Sequence, residues 1–470
     1  MKIVIKGLLA IIFILTLASC KTNKSASQAA VDLPRSFSHS TNADSTGISV
    51  IPYNRFFADD NLRRLIDTAV IRNNDLQIAL KNLEAARAVL TQARQGYLPE
   101  LSAQVSATTN RPSDNSLNGL SASQFLGSKH VEDYNASLNL RWEADIWGKV
   151  SSRKGAALAS YLQSEEARKW VHTQLVSNVA QAYYNLLMLE KQLRIARTNL
   201  ALSDSTAAIV RLQYQSGQVT LLAVEQAEAQ RLSAAKLIPS FERSITVQEN
   251  ALFILTGRLP AGKVTITPLE HAVVPENLSA GVPAVVLAQR PDVRQFELDV
   301  RRANAEVAFS RAAMYPSLTI TAQSGLNSFK SSNWFSVPAS LFGTATGALV
   351  QPILQKRQLR TQYELSKIDR ERSVLRFRQA VLEAAGDVEN ALVDLDKLRE
   401  EEAVANKRVT TLQQAIGNAR LLFNTGMATY LEVITAQSSV LQSELELADV
   451  KRRELQAVVD LYKSVGGGWQ

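Results

Sequence analysis

The chain has 470 residues, 46% hydrophobic and 20% charged, with a single cysteine and a formal charge of +8. That composition excludes a disordered chain, and beyond residue 20 no apolar run reaches the ~18 residues a transmembrane helix needs, which excludes an inner-membrane helical bundle. Basic and acidic residues are mixed along helical stretches, without the basic stripe and interleaved aromatics of a nucleic-acid surface.

Lys2 and Lys6 precede an apolar run from Leu8 to Leu17, and Leu17-Ala18-Ser19-Cys20 follows. This is similar to a bacterial lipoprotein signal, in which residues 1–19 are removed and Cys20 becomes the lipidated N-terminus. Cys20 has no second cysteine to pair with, so an internal disulfide is not a competing role. Lys21 stands where the usual inner-membrane retention signal has aspartate, which leaves an outer-membrane destination open. Residues 20–55 are rich in Ser, Thr and Asn without periodicity and read as an extended tether. Regular structure is expected from near Phe56.

Residues 56–258 read as a helix, a β-hairpin over 99–144, a long helix and a return helix. In the hairpin, Leu101, Val105 and Ala107 alternate with Ser102, Gln104, Ser106 and Thr108. Likewise Tyr134, Ala136, Leu138, Leu140 and Trp142 alternate with Asn135, Ser137, Asn139, Arg141 and Glu143. Segments of about ten residues with one apolar and one polar face suit strands crossing an outer membrane. A soluble two-sided sheet alternates in the same way. The stretch 110–133, rich in Ser, Asn and Gly, reads as the hairpin loop. The long helix is predicted over 151–216, where apolar residues from Val171 to Leu200 recur in eight steps over 29 residues, the helical period. At ~65 residues it would be about 100 Å long, too long for a compact domain, so such helices must pack side by side as a coiled coil or tube. Pro239 falls inside the return helix, where a proline removes a backbone hydrogen bond and bends the axis.

A linker over 259–283 precedes a second unit at 284–466, with a hairpin over 316–350, a long helix over 356–424 and a return helix, and then a tail at 467–470. Its alternating runs are 318–323 and, more weakly, 339–349, joined by a loop over 329–338. The second unit repeats the first. Leu212, Gly217, Thr220, Leu222, Val224, Ala227, Leu232, Leu252 and Gly257 recur 209 residues later as Leu421, Gly426, Thr429, Leu431, Val433, Ala436, Leu441, Leu461 and Gly466. Upstream, Asp75, Ala86, Pro99 and Leu101 recur 217 residues later as Asp292, Ala303, Pro316 and Leu318. Four strands cannot close a barrel, and lipid does not tolerate an open sheet edge, so several copies must complete the wall together.

With that duplication, the sequence resembles the outer-membrane efflux protein family, of the TolC and OprM kind, and particularly its lipoprotein branch. The most specific stretch runs from Val282-Pro283 through Arg290-Pro291-Asp292-Val293-Arg294-Gln295-Phe296-Glu297 to Tyr315-Pro316-Ser317-Leu318. Trp142 to Gly148, where strand two enters the long helix, and Gly466-Gly467-Gly468-Trp469 support it. One departure is Gln351-Pro352-Ile353-Leu354-Gln355-Lys356-Arg357, because the family usually has glycine after Q-P-I-[FL]. The resemblance implies a mainly α fold with a membrane β-barrel portion. It further implies a homotrimer, whose long helices form a periplasmic α-barrel and whose strands, four per subunit, form a twelve-stranded outer-membrane β-barrel. It implies a passive exit duct of a Gram-negative bacterium, lipid-anchored in the outer membrane and extending into the periplasm. The implied partners are a periplasmic adaptor (membrane fusion protein) and an inner-membrane pump of the RND type, and no cofactor is implied beyond the covalent lipid on Cys20. A type I secretion duct for polypeptides and a pore-less periplasmic coiled-coil scaffold are the alternatives.

By motif matching, the resemblance places the periplasmic aperture at the turn of the second repeat. Leu431 falls where one branch has an apolar ring, and Glu432 and Thr435 fall where relatives carry acidic residues. Gly217 and Gly426 allow the helix-to-helix turns that face the adaptor in the family. An enzyme is not indicated. His39, His130, His172 and His271 are scattered without metal spacing, and neither G-x-S-x-G nor a phosphate-cradling glycine loop is present.

Overall fold

In this computed structural model the described residues are Phe37, Ile48, 51–274, 280–281 and 283–469, without the side chains of Ser123 and Leu126. The signal segment and Cys20 lie outside them. Of the segment read as a tether, Phe37 and Ile48 are buried against the main core.

Among the described residues the first helices are α1 (Tyr53–Phe56) and α2 (Asp60–Arg72). Asp59 caps α2 by accepting from the backbone of Asn61 and Leu62 at 2.8 and 3.4 Å. The first repeat then runs α3 (Asn74–Gln95), β1 (Glu100–Asn110), a short α4 (Leu117–Ser121), β2 (Val131–Ala144), α5 (Lys149–Gln215) and α6 (Leu221–Leu255). After α7 (Pro283–Gln289) the second runs α8 (Pro291–Ala312), β3 (Ser317–Ser328), β4 (Leu341–Val350), α9 (Gln358–Asn424) and α10 (Tyr430–Ser464). The paired helices have equal lengths: 22 residues in α3 and α8, 67 in α5 and α9, 35 in α6 and α10. The hairpin loop 110–133 is more ordered than its composition implies, because Ser116 accepts from the Gly119 amide at 3.1 Å and starts α4. Pro239 lies inside α6.

The four strands form one antiparallel sheet in sequence order, β1-β2-β3-β4, so β2 of one repeat pairs with β3 of the other. Among the helices α5 is central. It packs on α3 and α8 near the sheet and on α6 and α10 farther away, whereas α9 packs mainly on α8 and α10. One edge of the array therefore holds α3, β1 and α6, and the other holds α9 and β4. Burial follows that position: α5 buries 25 residues and α9, of identical length, 12. The main core gathers the middle of α5 around Tyr183, Leu186 and Leu187 against α2 and the end of α10. Each such side chain, fully withdrawn from water, contributes about 1.5–3 kcal/mol. A second, smaller core of Ala207, Val210, Ala223, Ala227, Phe423 and Val433 holds the two helix-hairpin tips together.

Candidate channel wall, clasps and aperture

The register of the sheet sorts its side chains by face, because residues opposite one another on paired strands point the same way. One face carries the rungs Leu101–Leu140–Ala322–Ala345, Ala103–Leu138–Ser324–Gly343 and Val105–Ala136–Leu326–Leu341, with Trp142–Ile320–Gly347 and Ala144–Leu318–Leu349 nearer the helices. The opposite face carries Ser102–Asn139–Gln323–Thr344, Ser106–Asn135–Asn327 and Arg141–Thr321–Thr346. One face is thus mainly apolar across all four strands, Ser324 excepted. The other is mainly polar, Phe342, Ala348 and Val350 of β4 excepted, and hydrogen-bonds, as Gln323 does to Ser137 and Asn327 to Asp133. Aromatic side chains stand at both ends, with Trp142, Trp147 and Tyr315 toward the helices and Tyr134 and Trp334 toward the loops. Trp147 stacks on Tyr315 at 4.9 Å, and Tyr134 lies 5.5 Å from Trp334. An apolar band bounded by aromatic girdles, with a polar reverse side, matches a barrel wall between lipid and water.

At the far end of the long helices, Gly217 and Gly426 occupy the left-handed region at φ 74° and 75°. A Cβ on either would meet nothing within 4 Å. Both turns are therefore glycine for backbone reasons, with open space beside them. At the start of α10, Leu431 is 56% exposed, and Glu432 and Thr435 are exposed beside it. One, four and three residues apart, they share one patch of the helix. Glu432 also has a local task. Its carboxylate accepts from the Thr429 backbone at 2.9 Å and from the Thr429 hydroxyl, completing a capping box. The Thr429 hydroxyl, the helix-start amides and their dipole hold the Glu432 carboxyl below the usual carboxylate range, so it stays charged. The Tyr430 hydroxyl donates to Gln226 Oε1 at 2.6 Å and ties this tip to the first one.

Two buried clasps close the repeats and hold the helix array in place. Arg290, the N-cap residue of α8, is 3% exposed and uses all five of its N–H donors. Nε and Nη2 grip Asp292 at 3.1 and 2.7 Å, Nη2 also reaches Asp387 at 3.0 Å, and Nη1 donates to the Ala384 and Ser464 carbonyls at 3.1 and 2.9 Å. Burial alone would lower its pKa, but the Asp292 and Asp387 hydrogen bonds and charges more than reverse this, and the guanidinium is held charged. The residue 217 earlier is Asn73, also an N-cap, whose side chain donates to the Leu255 carbonyl at 3.0 Å. Ser464 and Leu255 are the last residues of α10 and α6. Each repeat therefore ties its own first helix to an orphan carbonyl at the end of its own last helix. The spacing of 217 that pairs Asp75 with Asp292 also pairs these two residues, and it is the signal by which they are found.

The sequence profile described as outer membrane efflux protein matches residues 65–258 and 282–467. The chain is 29% identical over 440 residues to the probable outer membrane lipoprotein SilC of Salmonella typhimurium, covering 93% of each chain. It is 28% identical over 466 residues to the cation efflux system protein CusC of Escherichia coli, covering 97% of each. The crystal structure of the open state of the MtrE outer membrane channel of Neisseria gonorrhoeae superposes with a TM-score of 0.86 at 26% identity, over 96% of this chain and 99% of that one. With both repeats matched, the chain belongs to the outer membrane efflux protein family.

Proposed function

We propose that three copies of this chain close into the outer-membrane exit duct of an efflux pump, which passively conducts solutes delivered by a periplasmic adaptor and an RND-type inner-membrane pump. The observation that carries this reading is the one-sided sheet with both edges open. Its apolar face suits lipid, and lipid does not admit the unpaired backbone of β1 and β4 unless another copy pairs with them. The helical edges match that requirement. Ile71, Ile78 and Val89 are exposed along α2–α3 on one edge, and Leu365, Ile368, Leu375 and Leu382 along α9 on the other. Joining unlike edges is a head-to-tail contact, which forms a ring when its rotation closes. Three copies make a twelve-stranded barrel continued by a helical tunnel, anchored by the lipid on Cys20.

The work of such a duct is gating and solvation, with no bond made or broken. A threefold ring of Leu431, Glu432 and Thr435 forms its periplasmic aperture, and the helix tips at Gly217 and Gly426 meet the adaptor. Three ionised Glu432 carboxylates in a narrow neck favour cations. Thr435 adds no charge, so the neck holds one acidic ring. The one-sided sheet also separates this reading from a pore-less scaffold, which has no use for an apolar outer face.

The test is single-channel recording of the purified oligomer in planar bilayers, with Glu432→Ala alongside. Stepwise conductance, with weaker block by divalent cations in the variant, is the expected result. Conductance with identical block removes Glu432 from the aperture, and absence of channels removes the duct.

A further inference from the structure

Where the sheet meets the long helices, the two repeats turn in different ways. In the first, Asp145 caps α5, accepting from the Val150 and Ser151 amides at 2.8 and 2.9 Å, and Gly148 supplies the left-handed residue at φ 74°. In the second, 209 residues on, Leu354 replaces the capping aspartate and Arg357 replaces the glycine. Lys356 and Arg357 adopt φ 48° and 65°, and Arg357, the N-cap residue of α9, makes no side-chain cap hydrogen bond. The left-handed region costs a residue with a Cβ about 1–2 kcal/mol, which glycine avoids. Side chains kept at that cost point to a use for them.

Their surroundings indicate the use. Ile353 and Leu354 are 86% and 93% exposed, and they follow Leu349, which stands on the apolar face of the sheet. Arg357 and Arg360 share one carboxylate, Glu364, at 3.3 Å each, and Lys356 has no ion pair among the described residues. The turn is therefore net positive beside two bare apolar side chains. Next to it a cavity of about 220 Å³ is lined by Trp147, Tyr315 and Leu359, and by Glu143 and Asp145, whose charges are met by Lys149 and by the α5 amides. Indole and phenol rings at this level suit a lipid–water interface.

We propose that the Ile353–Arg360 turn docks anionic phospholipid of the periplasmic leaflet, with Ile353 and Leu354 among the acyl chains and Lys356, Arg357 and Arg360 on the headgroup phosphates. A second copy is the competing occupant, since β4 is an edge strand. The opposite edge at this level, from the end of α3 to the start of β1, carries Arg94 and Glu100 and no net negative charge to receive a positive turn. An anionic leaflet does, and each cation near such a surface contributes about 1 kcal/mol.

The inference rests on the barrel reading of the sheet, so its test includes a control for that reading. Leu354→Cys and, separately, Leu138→Cys on the apolar face are labelled with a fluorophore in the full, Cys20-lipidated oligomer. The protein is then reconstituted in vesicles whose phosphatidylglycerol or phosphatidylethanolamine carries brominated acyl chains. Quenching at both positions is expected, with a preference for brominated phosphatidylglycerol at 354. That preference should fall roughly fivefold for each cation removed, as in Lys356→Gln and Arg360→Gln. Quenching at 138 with none at 354 overturns the docking proposal and assigns the turn to a neighbouring copy. Quenching at 354 without preference overturns the headgroup contact. No quenching at 138 overturns the barrel reading itself.

Discussion

The two helix hairpins have the same lengths, the same glycine turns and opposite chemistry at matching positions. Ala223 in the first is buried in the core that joins the tips, whereas its counterpart 209 residues on, Glu432, is exposed and charged. Gln226 and its counterpart Thr435 are both exposed, and Gln226 accepts from the Tyr430 hydroxyl of the other tip. The long helices differ in the same sense, with α5 buried in the middle of the array and α9 at its edge. The return helices differ in the opposite one, with 14 buried residues in α10 and 7 in α6. Duplication copied a backbone, and the positions of the two copies in one array then decided which residues each could keep. At the tips, an apolar side chain suits the covered Ala223 position, and charge is admitted at the exposed Glu432 position.

The clasps give the largest effects by which to break this comparison. Removing the Arg290 side chain leaves Asp292 without its buried partner and two carbonyls without donors, so Arg290→Ala should cost about 3–5 kcal/mol. Asn73→Ala removes a helix cap and one carbonyl contact and should cost about 1–3 kcal/mol. Denaturant unfolding of the purified variants measures both. If Asn73→Ala proved the more damaging, the charged clasp of the second repeat would not be its stronger closure.

Glycines that share a left-handed backbone conformation separate next. A Cβ at Gly257 would stand 2.4 Å from the Arg72 carbonyl oxygen, whereas at Gly426 it would meet nothing. Gly257→Ala combines a backbone clash with a positive φ and should cost about 2–4 kcal/mol. Gly426→Ala bears the φ cost alone, about 1–2 kcal/mol. Equal losses in the same unfolding experiment would mean that α6 can shift away from α2, and that the first clasp is loose.

The ends of the repeats differ in pH response. After the second repeat the chain folds back on α5, where Gly468 and Gly467 accept from His172 at 2.6 Å and Thr173 at 3.0 Å. The counterpart of His172 in α9 is Val381, also buried. Burial lowers the His172 pKa below its usual 6.5, the Gly468 carbonyl opposes this, and Arg168 adds to the lowering. The unfolded chain then binds a proton more readily than the folded one. The stability at stake is fully present above the unfolded value and is lost as the pH falls from it toward the folded one. Thermal midpoints taken from neutral pH down to about pH 5 should fall less in His172→Gln than in the natural chain. Parallel curves would show that this imidazole does not titrate during unfolding.

Much of the fold can be read from periodicity alone. Apolar residues every 3.6 positions give α5 and α9 to within two residues of their ends, and alternation, clear in β1 and β2 and weaker in β4, gives the two faces of the sheet. What is not legible depends on distant backbone. Arg290 stands in the most specific motif, but its partners at Ala384, Asp387 and Ser464 lie 94, 97 and 174 residues away and are not spelled out by it. Phe37 and Ile48 lie in a polar stretch whose composition hides their burial. Thr429 to Glu432 spells a threonine–glutamate capping box, so the cap on Glu432 was within reach of the sequence; the aperture pattern draws attention to its charge first.

The smallest effect is the most specific to the comparison. Lys356 and Arg357 hold a turn that glycine usually makes in the family, and Gly148 makes it in the first repeat. If the backbone alone governed this turn, Arg357→Gly would be a pure gain, relieving about 1–2 kcal/mol of left-handed cost less the ~0.4–1 kcal/mol of extra freedom that glycine gives the unfolded chain. A rise of roughly 0.5–1 kcal/mol is therefore expected in detergent, where no anionic leaflet rewards the guanidinium. Gly148→Arg, the reciprocal change, should lose a similar amount in any surroundings, since Asp145 already caps α5. Returning the two variants to anionic vesicles should cancel the gain at 357 and leave the loss at 148 unchanged. A gain at 357 that survives the anionic bilayer would mean that the second turn keeps its strain without return, and that the asymmetry between the repeats there has no electrostatic basis.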